Sequence, residues 1–258
     1  MKIAITGKGG VGKTTVAAIL ARLYADEGHC VLAADVDPDA NLGMALGFTP
    51  DELSMITPIS RMRELIAERT GAGAETFGKF FKINPKVDDI PDMLAKEKNG
   101  VKLLVMGTIE QGGSGCVCPE HVMLKQVISH LIVRREDVVI MDMEAGLEHL
   151  GRGTSSIMDQ FIVVVEPGER SVQTYRKVKE LAADLGITKV RVIANKIRSR
   201  ADEEFIMAKV PEADLLGFIH FDDDVTAADR AGRSPYDISE KTVAEIRAIK
   251  ERLVKDHA

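Results

Sequence analysis

The apolar run Lys2 to Thr6 passes without a break into Gly7-Lys8-Gly9-Gly10-Val11-Gly12-Lys13-Thr14-Thr15, and a stretch with the apolar spacing of a helix, Lys13 to Glu27, follows at once. No other feature narrows the fold so far. The spacing G-x-x-x-x-G-K-[ST] between a strand and a helix marks a loop whose glycines let backbone N–H groups wrap a phosphate chain. Gly9, Gly10, Val11, Gly12, Lys13, Thr14 and Thr15 are therefore the expected nucleotide contacts. The helix presents its positive N-terminus to the anion, Lys13 reaches the β and γ oxygens, and the Thr14 hydroxyl is available to ligate Mg²⁺.

The rest of the chain repeats that strand-then-helix alternation. Short apolar runs at Cys30 to Asp35, Lys102 to Met106, Val138 to Met141, Phe161 to Val165, Val190 to Ala194 and Leu215 to Ile219 read as buried strands. Helical spacing recurs at Pro119 to Val133, Ser171 to Leu185 and Ile238 to Val254. The expected fold is α/β, a single domain with a mostly parallel central β-sheet and helices on both faces. The stretch from Phe48 to Gly100, with scattered Gly, Pro and charge, fits least well and is read as a helical excursion within the domain. The final helical stretch carries Val243, Ile246, Ile249 and Leu253 on one face; without aromatics or a dominant basic face it reads as docked on the body rather than on a membrane.

Acidic segments follow two of the strands. Asp35-Val36-Asp37-Pro38-Asp39-Ala40-Asn41 comes after the second, and Asp142 ends the apolar run Val138 to Met141, where a carboxylate holds the magnesium ion, usually through water. Asp142-Met143-Glu144-Ala145-Gly146 then forms a segment able to feel the γ-phosphate. Asp35 and Asp39 read equally as site residues or as plain loop carboxylates. After the strand Val190 to Ala194 comes Asn195-Lys196-Ile197-Arg198, where guanine-specific relatives carry N-K-x-D. Arg198 stands in the place of the acid and cannot accept from the guanine N–H groups, so ATP is favoured over GTP, with Asn195 as the adenine contact.

Only three cysteines occur in 258 residues, too few for a disulfide framework, and two of them stand one residue apart in Gly112-Gly113-Ser114-Gly115-Cys116-Val117-Cys118-Pro119. In an extended backbone Cys116 and Cys118 project their thiols to one side. Two thiolates are half of a tetrahedral site. A two-fold dimer with this loop at its axis would assemble four soft sulfur ligands around one Zn²⁺ or Ni²⁺. The helix expected from Pro119 would lower the thiol pKa through its dipole. Buried, unreactive thiols are the alternative, which the Gly/Ser surroundings disfavour. Cys30 is read as packing inside its strand, and His121 as a further ligand or, the favoured reading, a solvent-facing side chain.

The opening residues read as a strand rather than a leader, and no run of eighteen apolar residues occurs, so a cytoplasmic protein is expected. Lys+Arg 34 against Asp+Glu 40 gives net charge −6 without a long basic run, so neither nucleic acid nor membrane is expected as a partner.

Lys8, a second lysine early in the glycine loop, matches the deviant K-G-G-x-G-K-[ST] pattern, and with the D-x-D-P segment the sequence resembles the MinD and nitrogenase iron-protein group of P-loop ATPases. That resemblance implies that Lys8 reaches across a homodimer to the partner's nucleotide, and that Asp37 positions or deprotonates the attacking water. Lys8, Lys13 and Asp37 are the implied catalytic residues. Adding the cysteine loop and "DMEAGLEHLGRGT" from Asp142 to Thr154, nearly the whole chain resembles the CooC-type ATPases of nickel carbon monoxide dehydrogenase maturation. That family implies ATP and ADP with Mg²⁺, a nucleotide-linked homodimer, nickel or zinc bound through the paired cysteines, and carbon monoxide dehydrogenase as client. A nickel-dependent acetyl-CoA synthase would leave nearly the same motifs. Glu148, His149 and Arg152 belong to the shared stretch without a role that their spacing reveals. The runner-up is an electron-transfer ATPase with a bridging [4Fe–4S] cluster, like the nitrogenase iron protein; that family's second cysteine lies in the segment matching Asp142 to Gly153, which here has none.

Overall fold

A computed structural model of the chain describes residues 1–37, 39–72, 81–107, 118–134, 138–144 and 158–255. Among them the first strand, β1 (Lys2–Gly7), runs into helix α1 (Lys13–Asp26), followed by β2 (Val31–Asp35). Short helices α2 (Leu42–Ala45), α3 (Pro50–Ser54), α4 (Arg63–Thr70) and α5 (Ile90–Leu94) lead to β3 (Lys96–Lys98) and β4 (Val101–Val105). Then come α6 (Pro119–Arg134), β5 (Val138–Asp142), β6 (Gln160–Val165), α7 (Glu169–Asp184), β7 (Val190–Ile197), α8 (Arg200–Lys209), β8 (Leu215–His220), α9 (Asp223–Arg230) and α10 (Glu240–Lys255).

The strands form one sheet in the order β3-β4-β2-β5-β1-β6-β7-β8, parallel throughout except for the β3–β4 pair. Both faces are covered, as continuous apolar strands require. Ile3, Ile5, Ile162 and Val164 pack with Val16, Ile19, Leu20 and Leu23 of α1 and Ile246, Ile249 and Leu253 of α10. Ala4, Phe161, Val163 and Val165 turn the other way, onto Met123, Val127 and Leu131 of α6 and Val172, Tyr175 and Val178 of α7. The C-terminal helix is thus seated on the body.

Three features depart from the sequence reading. The segment read as a helical excursion closes on a strand: Asn99 (φ 52°) and Gly100 (φ 75°) make the two-residue positive-φ turn that folds charged β3 back onto β4. Cys30 is exposed and precedes β2 instead of packing within it; its carbonyl accepts the Val138 N–H at 2.9 Å. Helices α8 and α9 were not anticipated from the sequence; each is short and polar and buries a single residue, Ile206 and Ala228 respectively.

Because β1, β2, β4 and β5 are parallel neighbours, their carboxyl ends share one edge of the sheet. The glycine loop, the Asp35–Asp37 segment, Met106 and Gly107 after β4, and the Asp142–Glu144 segment all leave from that edge, the usual ligand side of an open α/β sheet.

Candidate nucleotide site

Gly7 ends β1 directly against β6: a Cβ there would stand 2.4 Å from the Val164 carbonyl oxygen. Glycine is equally required at Gly12, the N-cap of α1, with φ 97° and the Asn195 amide nitrogen 2.2 Å from where a Cβ would lie. No side chain caps α1 and no acid occupies its first turn, which leaves its N-terminal N–H groups available to an anion.

Lys13 and Thr14, in the first turn of α1, each meet a carboxylate, one from the segment after β2 and one from the end of β5. The Thr14 hydroxyl donates to Asp142 Oδ2 at 2.6 Å, and Lys13 Nζ lies 3.3 Å from Asp37 Oδ2. With side chains only 6% and 15% exposed, the Lys13–Asp37 pair is sheltered from solvent screening. Asp37 Oδ1 accepts the Asp39 N–H at 3.0 Å, so the loop folds on itself. Lys8 is exposed; its carbonyl accepts the Val11 N–H at 3.3 Å.

Sheet register sets Asp35 directly beside Asp142. Burial, and then the neighbouring Asp142 carboxylate, push Asp35 up to about 7, against the Leu42 N–H that donates to Asp35 Oδ2 at 2.9 Å. Burial likewise lifts Asp142 to about 6, opposed by the Thr14 hydroxyl and the Lys13 charge. The Oδ1 atoms of both are buried, with no hydrogen-bond partner among the described residues. Two clustered carboxylates with unfilled oxygen valence beside a threonine hydroxyl are the hard-oxygen donor set that suits Mg²⁺.

Asn195 and Lys196 brace the glycine loop from β7. Asn195 Nδ2 donates to the Val11 carbonyl at 2.7 Å, its Oδ1 accepts the Lys196 N–H at 2.9 Å, and Lys196 Nζ donates to the Gly10 carbonyl at 2.5 Å. Lys196 and Glu166, whose carboxylate lies 3.7 Å from Lys196 Nζ, were missed by sequence reasoning, although the dipeptide Asn195-Lys196 carried the signal. Arg198 is turned onto Phe221, its guanidinium carbon 3.5 Å from the ring centroid. Thr6 Oγ1 donates to the Glu144 carbonyl at 2.7 Å and the Met143 N–H to the Ile5 carbonyl at 2.9 Å, fixing the exit from β5 beside the glycine loop.

Cys118 is half-buried immediately ahead of α6, and His121 lies in the first turn of that helix. Cys116, Glu148, His149 and Arg152 lie outside the described residues. Among the described residues no group of three or more His, Cys, Asp or Glu side chains is arranged to hold a metal ion, and no helix is long and apolar enough to cross a membrane.

The model of the CobQ/CobB/MinD/ParA nucleotide-binding domain matches residues 2–236. The carbon monoxide dehydrogenase accessory protein CooC of Rhodospirillum rubrum is 49% identical over 98% of this chain and 97% of its own. An uncharacterized ATP-binding protein of Methanocaldococcus jannaschii is 44% identical over 99% and 98%. Among solved structures, the MinC:MinD cell division protein complex of Aquifex aeolicus superposes with a TM-score of 0.69 at 19% identity, covering 99% of this chain and 96% of that one, a likeness of fold.

Proposed function

Since the chain belongs to the CobQ/CobB/MinD/ParA nucleotide-binding family, and within it to the CooC-type members, we propose that it is an ATP-hydrolysing maturation factor that promotes nickel insertion into carbon monoxide dehydrogenase. The observation that carries the reading is the convergence of Lys13, Thr14, Asp37 and Asp142 at one sheet edge in a chain 49% identical to a CooC protein over 98% of its length.

In this reading the N–H groups of Gly9 to Thr15 hold the phosphates and Lys13 binds the β and γ oxygens. Thr14 and Asp142 would hold Mg²⁺, which supplies charge neutralisation on the phosphates when bound. Asp37 orients water for attack on the γ-phosphorus; the bond to the β-phosphate oxygen breaks, ADP leaves, and the water's proton passes to Asp37 or to the phosphate. The Lys13–Asp37 contact already joins the phosphate-binding ammonium to the water-positioning carboxylate. Asn195 spends one amide hydrogen on Val11 and keeps a second, which we assign to the adenine edge.

Lys8 is exposed on the rim of the loop, which suits a residue that acts on the nucleotide of a second copy. Charge supplied in trans would make hydrolysis depend on a homodimer, as an arginine finger does. The same dimer would bring Cys116 and Cys118 of both chains together around the cargo ion, Ni²⁺ or Zn²⁺, in a cytoplasmic setting that keeps the thiols reduced. Hydrolysis then alters the dimer and releases the ion to the client.

The test is metal and acid-labile sulfide content after anaerobic reduction and incubation with nickel. One tetrathiolate site per dimer predicts about half an ion per chain and no sulfide. About two irons and two sulfides per chain would instead mean a bridging [4Fe–4S] cluster and an electron-transfer protein. Replacing Cys116 and Cys118 together by Ser should abolish metal binding and leave ATP binding intact.

A further inference from the structure

Successive residues of a regular strand point to opposite faces, yet Asn195 and Lys196 both reach the glycine loop. The backbone explains how. Ala194 pairs with Phe218 and Ile197 with His220, so Asn195 and Lys196 together face the single residue Ile219, a two-against-one bulge in β7. Lys196 sits at φ 59°, and it and the turn residue Asn99 are the only non-glycine positive-φ residues among those described. Asn99 is explained by its hairpin. A bulge accommodates a left-handed residue most readily as glycine; a lysine there costs about 1–2 kcal/mol.

What the distortion achieves is a two-point grip on the loop. The Asn195 amide donates to the Val11 carbonyl at 2.7 Å, the Lys196 ammonium donates to the neighbouring Gly10 carbonyl at 2.5 Å, and the Glu166 carboxylate, just beyond β6, lies 3.7 Å from that ammonium. Each carbonyl shares a planar peptide with the N–H that follows it, so drawing the Gly10 and Val11 carbonyls toward β7 fixes the Val11 N–H, which goes to the Lys8 carbonyl, and the Gly12 N–H, one of those the phosphates need. Glycines at Gly9, Gly10 and Gly12 otherwise leave the loop free to sample many orientations, so a fixed set requires an external grip.

We propose that Lys196 is a positioning residue for nucleotide binding: through the bulge in β7 and its contact with Gly10 it holds the glycine loop in the anion-binding conformation, with Glu166 steering the ammonium. The proposal rests on the ATP-binding reading above. Left-handed strain retained next to a ligand loop fits this role, since such outliers persist where the surrounding structure enforces a functional geometry.

The experiment is calorimetric titration of the full chain with a non-hydrolysable ATP analogue and Mg²⁺, alongside apo melting temperatures, for wild type, Lys196→Met and Lys196→Gly. Lys196→Met keeps the stem and removes the ammonium. Lys196→Gly removes the ammonium and also relieves the left-handed strain. Both variants are expected to bind about tenfold more weakly, while Lys196→Gly melts no lower than wild type. Binding within twofold of wild type in both variants would overturn the proposal. So would affinity that falls only in step with melting temperature, since the residue would then serve the fold alone. A wild-type chain that fails to bind the analogue would remove the ATP reading itself, and this inference with it.

Discussion

Thr14 is the smallest part of the site with the most to lose. Its hydroxyl is the hydrogen-bond donor to Asp142 Oδ2, on a carboxylate that is fully buried and raised to about 6 by that burial. Thr14→Val keeps the shape and deletes the donor, at a stability cost of about 1–3 kcal/mol for a buried acceptor left without its partner. Its larger effect should be on metal dependence. Mg²⁺ should tighten nucleotide binding by wild type and cease to do so in the variant. An unchanged Mg²⁺ effect would place the ion elsewhere. The place of Thr14 in the first turn of α1 was legible because the loop motif fixes it by spacing alone. Asp35 was not: spacing left it even with any loop carboxylate, and only the register that sets it beside Asp142 reveals a buried acid with one oxygen unfilled.

Helix α10 shows how far periodicity carries. Its apolar residues recur on one face, and Ile246, Ile249 and Leu253 are buried against the side of the sheet that also receives α1. Ile249→Ala should cost about 2–5 kcal/mol, read as a lowered denaturation midpoint with an unchanged denaturant slope. A loss below about half a kcal/mol would mean that the helix is not an integral part of the core. The seven core strands were legible for the same reason, since strands buried on both faces read as unbroken apolar runs. Strand β3 was not, because Lys96, Glu97 and Lys98 are all charged and its only signal is the Asn99-Gly100 turn. The bulge in β7 is likewise invisible in a string of residues, because it depends on how Ala194 and Ile197 pair with Phe218 and His220 of another strand. Alternation therefore announced the layers, while the devices that aim side chains at the site came from pairing.

Taken as one body, the molecule gathers the nucleotide-facing groups on a single sheet edge, which is half of the proposed machine. Lys13, Thr14, Asp37 and Asp142 meet within one chain, whereas Lys8 is exposed on the rim and the paired cysteines supply only two thiols per copy. In the proposed dimer one operation, a two-fold axis through this edge, would complete both. The most direct measurement is the ATP hydrolysis rate per chain as a function of chain concentration, for wild type and for Lys8→Ala, with ATP binding measured in parallel. The account predicts that specific activity rises with concentration until the dimer saturates. It also predicts that Lys8→Ala binds ATP with near-wild-type affinity and does not hydrolyse it. Specific activity independent of concentration, together with wild-type turnover by Lys8→Ala, would contradict it.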